Sequence, residues 1–183
     1  MAIMNELEGN NLGLSPNRAL VYWKRAYYSR YRDAPIKFDV VIEVWQPRAE
    51  YPSFLWICEC KDLKGPLPVD DVEEFLAKLD QISGANRKGV IAISGGIQSG
   101  ALKYARSKGI GIIRLLPDDQ VHYELYYKGP EPTEDSRHRA EECYRALTEA
   151  DFVGINREFY AVSSGLMFRT WGSLLASAIH LGA

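Results

Sequence analysis

The sequence predicts an α/β domain with a mixed central sheet flanked by helices, and three observations carry that prediction. Phe38–Trp45 (FDVVIEVW) and Phe54–Lys61 (FLWICECK) are apolar, β-branched and aromatic runs around a polar segment holding Pro47, Pro52 and Ser53, the pattern of strand, loop, strand. Gly89–Ser94 (GVIAIS) is an unbroken apolar run, the mark of a strand covered on both faces. Between these, Val72, Phe75, Leu76, Leu79 and Ile82 recur at helical spacing. A strand–helix–strand order of this kind makes parallel units with right-handed crossovers.

Taken in order, Met1–Ser15 has little periodicity and reads as a loose arm. Ser15-Pro16 is an N-cap and first-turn pair. From Asn17 to about Arg32, Leu20, Trp23 and Tyr27, with Tyr28 and Tyr31 nearby, fall near helical spacing among basic residues. This predicts a basic helix, aromatics inward and Arg18, Lys24 and Arg25 outward toward phosphates, with Tyr28–Asp33 extended as the alternative. Interleaved aromatic and basic residues also suit nucleic acid, although such a stripe is more often core under a solvated face. The two strands follow, then a turn at Gly65–Pro68 and a helix from Asp70 to about Ser83 whose first-turn acids complement its dipole.

After the GVIAIS strand, Gly95-Gly96 turns the chain, Gln98 or Ser99 opens a helix over Gly100–Lys108, and Gly109–Leu116 is a further strand. Pro117–Asp119 is a turn and Gln120–Tyr127 alternates as an added strand. Lys128–Thr133, with Gly129, Pro130 and Pro132, reads as a linker. It divides a core over residues 1–128 from a C-terminal helical extension over 129–183 packed on that core. The extension holds a helix over Glu134–Ala150, a poorly periodic apolar stretch from Asp151 (Phe152, Val153, Phe159, Tyr160, Met167, Phe168, Trp171) and a helical tail over Ser173–Ala183. It is expected to cover one edge of the core, or to form a dimer surface or a specificity element.

The formal net charge is −2 over 183 residues, which advertises no polyanion partner for the chain as a whole. Charge is nevertheless clustered. Arg18, Lys24, Arg25, Arg30 and Arg32 lie in one acid-free stretch and Lys103, Arg106, Lys108 and Arg114 in another, while acids gather at Asp70, Asp71, Glu73 and Glu74 and over 131–142. Solvated helix faces are the ordinary explanation, and local basic faces on a neutral chain also suit an enzyme that must release DNA. Cys58 and Cys60 point the same way from one strand and cannot form an ordinary disulfide; with Cys143 they read as small buried hydrophobes in a reducing cytoplasm. Met1–Leu14 lacks the pattern of a signal peptide, and no apolar run is long enough to span a bilayer, so no membrane partner is expected. His122, His138 and His180 are isolated from one another and from any metal-ligand spacing.

The chemistry concentrates in the first two strands. Asp39 sits on one, and Glu59-Cys60-Lys61 ends the other. Alternation places Glu59 and Lys61 on one face and Cys60 on the opposite one. Two carboxylates and a lysine at the ends of neighbouring strands suit metal-dependent phosphodiester cleavage: the acids hold a hard cation, which polarises a phosphate oxygen and activates water, and the lysine orients that water or offsets developing charge. Taken alone, an E-x-K triplet arises by chance about once in a chain of this length, and a strand-end lysine paired with a surface glutamate is the bland alternative. Glu43 is in phase with Asp39 but over ~10 Å along the strand, which makes it a cross-strand partner more than a ligand. Asp62-Leu63-Lys64 runs into Gly65-Pro66 and ranks below Glu59 and Lys61.

Four segments together, Asp39 in FDVVIEV, then WICECKD, then PVDDVEEFLAKLDQISGA, then KGVIAISGGIQSGALKYARSKGIGIIRLL, resemble the Mrr-type branch of the restriction-endonuclease-like nucleases, the PD-(D/E)xK superfamily. The resemblance runs from about Phe38 to Leu116. Phe38 stands where the family pattern has Pro, and the helix before Asp39 lacks the Glu that many relatives carry. The resemblance implies a restriction-endonuclease-like core and an Mg2+-dependent DNA endonuclease, with Mn2+ able to substitute. Asp39 and Glu59 are then the metal ligands, and Lys61 and Gln81 complete the catalytic group. It further implies DNA as partner, a role in restriction or defence, and a homodimer as the simplest way to cut both strands. For Gln81 the residues alone leave a helix-end amide bonding backbone equally open. Ser94, Ser99 and Lys103 are further candidates for DNA contact around the Gly95-Gly96 turn, which lacks the P-loop lysine and the dinucleotide fingerprint. The competing readings are a DNA-binding module of the same fold without chemistry, a repair or junction nuclease, and an unrelated small-molecule enzyme using the Gly95-Gly96 turn.

Overall fold

The computed structural model describes residues 18–82, 86–123 and 136–182. Strand β1 (Ala19–Ser29) pairs antiparallel with β2 (Ala34–Val44), which pairs antiparallel with β3 (Phe54–Lys61). Helix α1 (Val69–Leu79) carries the chain to β4 (Asn86–Ile93), parallel to β3, and α2 (Ser99–Ser107) carries it to β5 (Gly111–Leu115), parallel to β4. A short pair, β6 (Val121–His122) and β7 (Gly154–Ile155), stands apart on either side of α3 (Ser136–Thr148). Strands β8 (Phe159–Ser163) and β9 (Leu166–Phe168) then complete a seven-stranded mixed sheet in the order β1-β2-β3-β4-β5-β8-β9, before α4 (Trp171–Gly182). The fold is α/β, a mixed central sheet flanked by helices. No helix among the described residues is long and apolar enough to cross a membrane.

Alternation sorts the strand side chains into two cores. One face is covered by α1, α2 and α3, and there Val41, Leu55, Ile57, Ile91, Ile93 and Ile112 meet Val72, Phe75, Leu79, Ala101, Leu102 and Leu147. The other face is covered by α4, where Ile42, Trp56, Val90 and Ile113 meet Leu174, Leu175 and Ile179. A strand walled on both sides must be apolar at every position, which is why GVIAIS and FLWIC are unbroken runs. Gly89 lets α1 come close to β4: a Cβ there would sit 2.3 Å from Leu79 Cδ1.

Three expectations are corrected. The basic helix expected over 17–32 is strand β1 over Ala19–Ser29 followed by a turn, and the strand is rich in the aromatic and branched residues Val21, Tyr22, Trp23, Tyr27 and Tyr28. Lys24 has left-handed φ (54°) between the pairs Trp23↔Val40 and Arg25↔Phe38, so the period-two pattern jumps phase there and imitates helical spacing. The segment 129–183, expected as a helical extension, carries α3 and α4 but also gives β8 and β9 to the main sheet. Its stretch from Asp151 is aperiodic in sequence because two-, five- and three-residue strands are too short to display alternation. The expected strand over 120–127 is the two-residue β6 after a 3-10 turn at Asp118–Gln120, and residues past Tyr123 in it lie outside the described residues, as do the Met1–Ser15 arm, Ser15-Pro16 and the Lys128–Thr133 linker.

Arg114 on β5 fixes α3 to the sheet. The residue is 1% exposed, and its guanidinium donates to Ala146 O (2.7 Å), Glu149 O (2.5 Å), Ala150 O (3.1 Å), Ser94 O (3.3 Å) and Gln120 Oε1 (2.9 Å). Three of these acceptors are carbonyls in and just beyond the last turn of α3, where a cation also meets the negative end of the helix dipole. Arg114→Met leaves five acceptors without their donor in a buried place and should destabilise the protein by about 3–5 kcal/mol in urea unfolding. Arg114→Lys, with a point charge in place of a fork, should fall between the two.

Candidate functional site

The site lies where β2 and β3 stop pairing. The ladder ends at Val40↔Cys58, so Asp39 and Glu59 are the next residue on each strand. Strand phase breaks here as well: Phe38 and Val41 lie in the core under α1, whereas Val40 and Ile42 lie in the core under α4. Asp39 makes up for the lost ladder bond, because its Oδ2 accepts the Cys60 N–H at 2.8 Å. Its other oxygen, Oδ1, is ion-paired with Lys24, the left-handed residue opposite it on β1. Burial pushes the Asp39 carboxyl up, but the bonds from Lys24 and Cys60 and the charges of Lys24 and Lys78 hold it below the ordinary aspartate value.

Glu59 and Lys61 share the α1 side of β3, and α1 answers each with an opposite charge. Lys78 Nζ donates to Glu59 Oε1 at 2.8 Å and lies 3.2 Å from Glu74 Oε1. Lys61 Nζ donates to Asp71 Oδ1 at 2.7 Å. Burial opposes the charge of Lys78, yet Glu59 and Glu74 together raise its pKa, so it is fully cationic at neutral pH. Asp39, Glu59, Asp71 and Glu74 thus face Lys24, Lys61 and Lys78, four carboxylates to three ammonium groups, and the cluster carries one net negative charge.

The remaining expected residues divide. Gln81, just past α1, donates to Ala77 O (2.8 Å) and accepts from buried Ser29 Oγ (2.9 Å), the helix-end amide arrangement, and it joins α1 to β1. Ser94, beyond the end of β4, donates to Asp62 Oδ1 at 2.6 Å beside Lys61. Ser99 and Lys103 are exposed on α2. The Gly95-Gly96 turn faces protein: Leu67 N–H donates to Gly96 O, Ile97 N–H to Leu147 O, and a Cβ at Gly96 would lie 3.1 Å from Thr148 O. Arg18 is exposed and its carbonyl accepts from Trp45 N–H. Lys24 and Arg25, expected outward on a helix, instead reach acids from β1: Lys24 to Asp39, and Arg25 to Glu43 at 3.1 Å.

Glu43 is the cross-strand partner expected of it. It is 1% exposed and accepts from Arg25 Nε and Tyr27 OH (2.7 Å), while its Oε2 has no partner among the described residues. Burial and that bond push the Tyr27 hydroxyl up. Cys60 departs from expectation, because it is exposed while Cys58 is buried. The broken ladder leaves the Cys60 end of β3 without β2 beside it. A hydrogen bond shared between the two thiols draws Cys60 down and Cys58 up.

Sequence reading did not single out Lys78. The signal was present: Asp71, Glu74 and Lys78 stand at i, i+3 and i+7 on α1, one face of a helix, set against an E-x-K strand. As to metal, no group of three or more His, Cys, Asp or Glu among the described residues is arranged to hold an ion. Asp39 and Glu59 are two oxygen donors, and Mg2+ ordinarily takes one or two carboxylates, with water and substrate phosphate completing its shell. The donor set therefore fits Mg2+ in number and type, with Lys24 and Lys78 as the cations now balancing it.

Lys24→Ala removes the largest influence that lowers Asp39, so the Asp39 pKa should rise, as followed by carboxyl NMR titration. A depressed folded pKa contributes stability above the unfolded value near 3.9 and loses it as pH falls through the lower folded value. The variant should therefore show a smaller loss of stability than the wild type over that acidic window.

No family model matches the sequence, and no curated protein matches it. Among solved structures, the chain is similar to the crystal structure of a protein of unknown function, AF1548, with a TM-score of 0.41 and 16% identity, covering 61% of this chain and 57% of that one.

Proposed function

We propose that this chain is a metal-dependent endodeoxyribonuclease of the Mrr, PD-(D/E)xK kind, hydrolysing DNA phosphodiester bonds with Mg2+. The observation that carries the reading is the placement of Asp39 and Glu59 each one residue beyond the last β2–β3 pair, with Lys61 on the same side of β3 as Glu59. Asp39 and Glu59 would hold the cation, and the net negative charge of the cluster favours one. Bound Mg2+ would supply Lewis-acid polarisation of a phosphate oxygen and acidify water. Lys61, kept in place by Asp71, offsets charge growing on the phosphate and orients the attacking water. Lys78 holds the Glu59 carboxylate in place through its 2.8 Å bond to Oε1. Gln81 braces β1 against α1, so its part is positioning.

A homodimer related by a twofold axis would cut both strands of a duplex, and a cytoplasmic restriction or defence role fits the reduced thiols and the resemblance, with repair as the rival role. A binding module without chemistry is favoured by one observation: every carboxylate at the site already has a lysine partner. Plasmid cleavage separates these readings. Supercoiled DNA with Mg2+ or Mn2+ should be nicked or linearised, EDTA should abolish this, and Asp39→Ala and Lys61→Ala should each lower the rate by about a hundredfold or more. Products that persist undiminished in both variants would move the chemistry elsewhere in the chain. Gel retardation without products would select the binding module.

A further inference from the structure

The β1–β2 hairpin outruns its neighbour. β1 and β2 stay paired from Ala19↔Val44 to Ser29↔Ala34, but β3 pairs with β2 only from Val44 to Val40. Residues 25–38 therefore form a two-stranded ribbon with no third described strand beside it. The ribbon leaves the sheet at Lys24 and Asp39, where strand phase breaks, so its root is the candidate site itself.

One side of the ribbon is anchored. Ile36 and Phe38 are buried, Tyr27 packs with them, and buried Ser29 bonds Gln81 beyond α1. The opposite side, Ala26, Tyr28, Pro35 and Lys37, is exposed throughout, and at the tip Arg30, Tyr31 and Arg32 are exposed too, Tyr31 at 84%. Asp33, the one acid in residues 25–38, has left-handed φ (47°) at the turn and accepts a hydrogen bond from Tyr28 OH. Arg25 is occupied by Glu43. The free end of the ribbon thus presents Arg30, Arg32 and Lys37 with two tyrosines, on a rigid base.

We propose that this ribbon enters the major groove of duplex DNA beside the bond to be cut. The proposal rests on the reading of DNA as substrate. Two strands about 4.8 Å apart, with their side chains, match a groove about 12 Å wide that admits such a ribbon. Arg30, Arg32 and Lys37 meet phosphates along the groove walls, and Tyr28 and Tyr31 face base edges. A second copy pairing along β1 would bring these cations against their own kind, whereas a polyanion satisfies them.

The test is fluorescence anisotropy in EDTA, with a labelled duplex and its single strand, over a range of KCl concentrations. Arg30→Ala/Arg32→Ala/Lys37→Ala should raise Kd for the duplex about tenfold or more and reduce the salt slope by about 2 to 3. Arg145→Ala on α3 should change neither. The substitutions lie at exposed positions, and an unchanged thermal melt shows that the fold is intact. A triple variant that binds with unchanged affinity and slope overturns the ribbon's role while cleavage by the wild type leaves the nuclease reading standing. A ribbon-dependent duplex affinity without cleavage keeps the inference and removes the catalysis. Preference for the single strand, with the loss concentrated in Tyr31→Ala, overturns groove entry in favour of base stacking.

Discussion

The break in strand alternation at Asp39 is the constraint on which the site depends. A regular antiparallel ladder through this point would pair Asp39 with Glu59 and spend its backbone bonds on holding strands together. Here the ladder ends one residue earlier, and the Asp39 side chain takes the Cys60 N–H in place of a backbone carbonyl. A carboxylate accepting from a backbone amide next to the opposite acid is fixed in direction without a rotamer to spare. Lys24, the left-handed residue across from it on β1, makes the same jump in phase. A non-glycine residue at positive φ is uncommon, and here it coincides with the Asp39 ion pair. One irregularity therefore marks both the end of β2–β3 pairing and the point past which the β1–β2 ribbon continues alone.

Charge balance follows from the same geometry. Two carboxylates at adjacent strand ends repel, and each is compensated from a different element, Asp39 by β1 and Glu59 by α1. Lys61 is compensated in turn by Asp71. The pairing holds the Asp39 carboxyl below its ordinary value, and four carboxylates against three ammonium groups leave one formal negative charge over.

Much of this was legible in the residues. The apolar runs of β3 and β4, the buried stripe of α1 and the crossover through α2 are each long enough for periodicity to declare itself. Asp39, Glu59 and Lys61 could be brought together because two strands joined by a short loop have few ways to pair. β1 was not legible, since the jump at Lys24 destroys its period-two signal, and ordinary φ is assumed at every non-glycine residue. β8 and β9 were hidden by their length. The partners of the site, Lys24, Asp71 and Lys78, depend on which face of α1 and which residue of β1 come near β3, and spacing within one element does not contain that. Cys60 illustrates the same limit: strand alternation put it on the right face, but the end of β2 decides that the face is open there.

A site built on strand ends is only as well placed as those ends are held. The end of β3 is held from two sides. On one, Asp39 grips the Cys60 amide. On the other, Asp62, directly after Lys61, accepts from Ser94 Oγ, and the Ser94 carbonyl accepts from Arg114. Arg114 is buried and has four further acceptors around the end of α3 and the turn before β6, so the ends of β3, β4 and β5 and the helix from the C-terminal third of the chain are tied to one guanidinium. This gives the C-terminal third a part in the site without a residue in it. Its helix supplies the carbonyls that orient Arg114, Arg114 orients the Ser94 carbonyl, and Ser94 restrains the segment that carries Lys61. Loosening α3 would then be felt first as imprecision at Lys61, before any strand is lost.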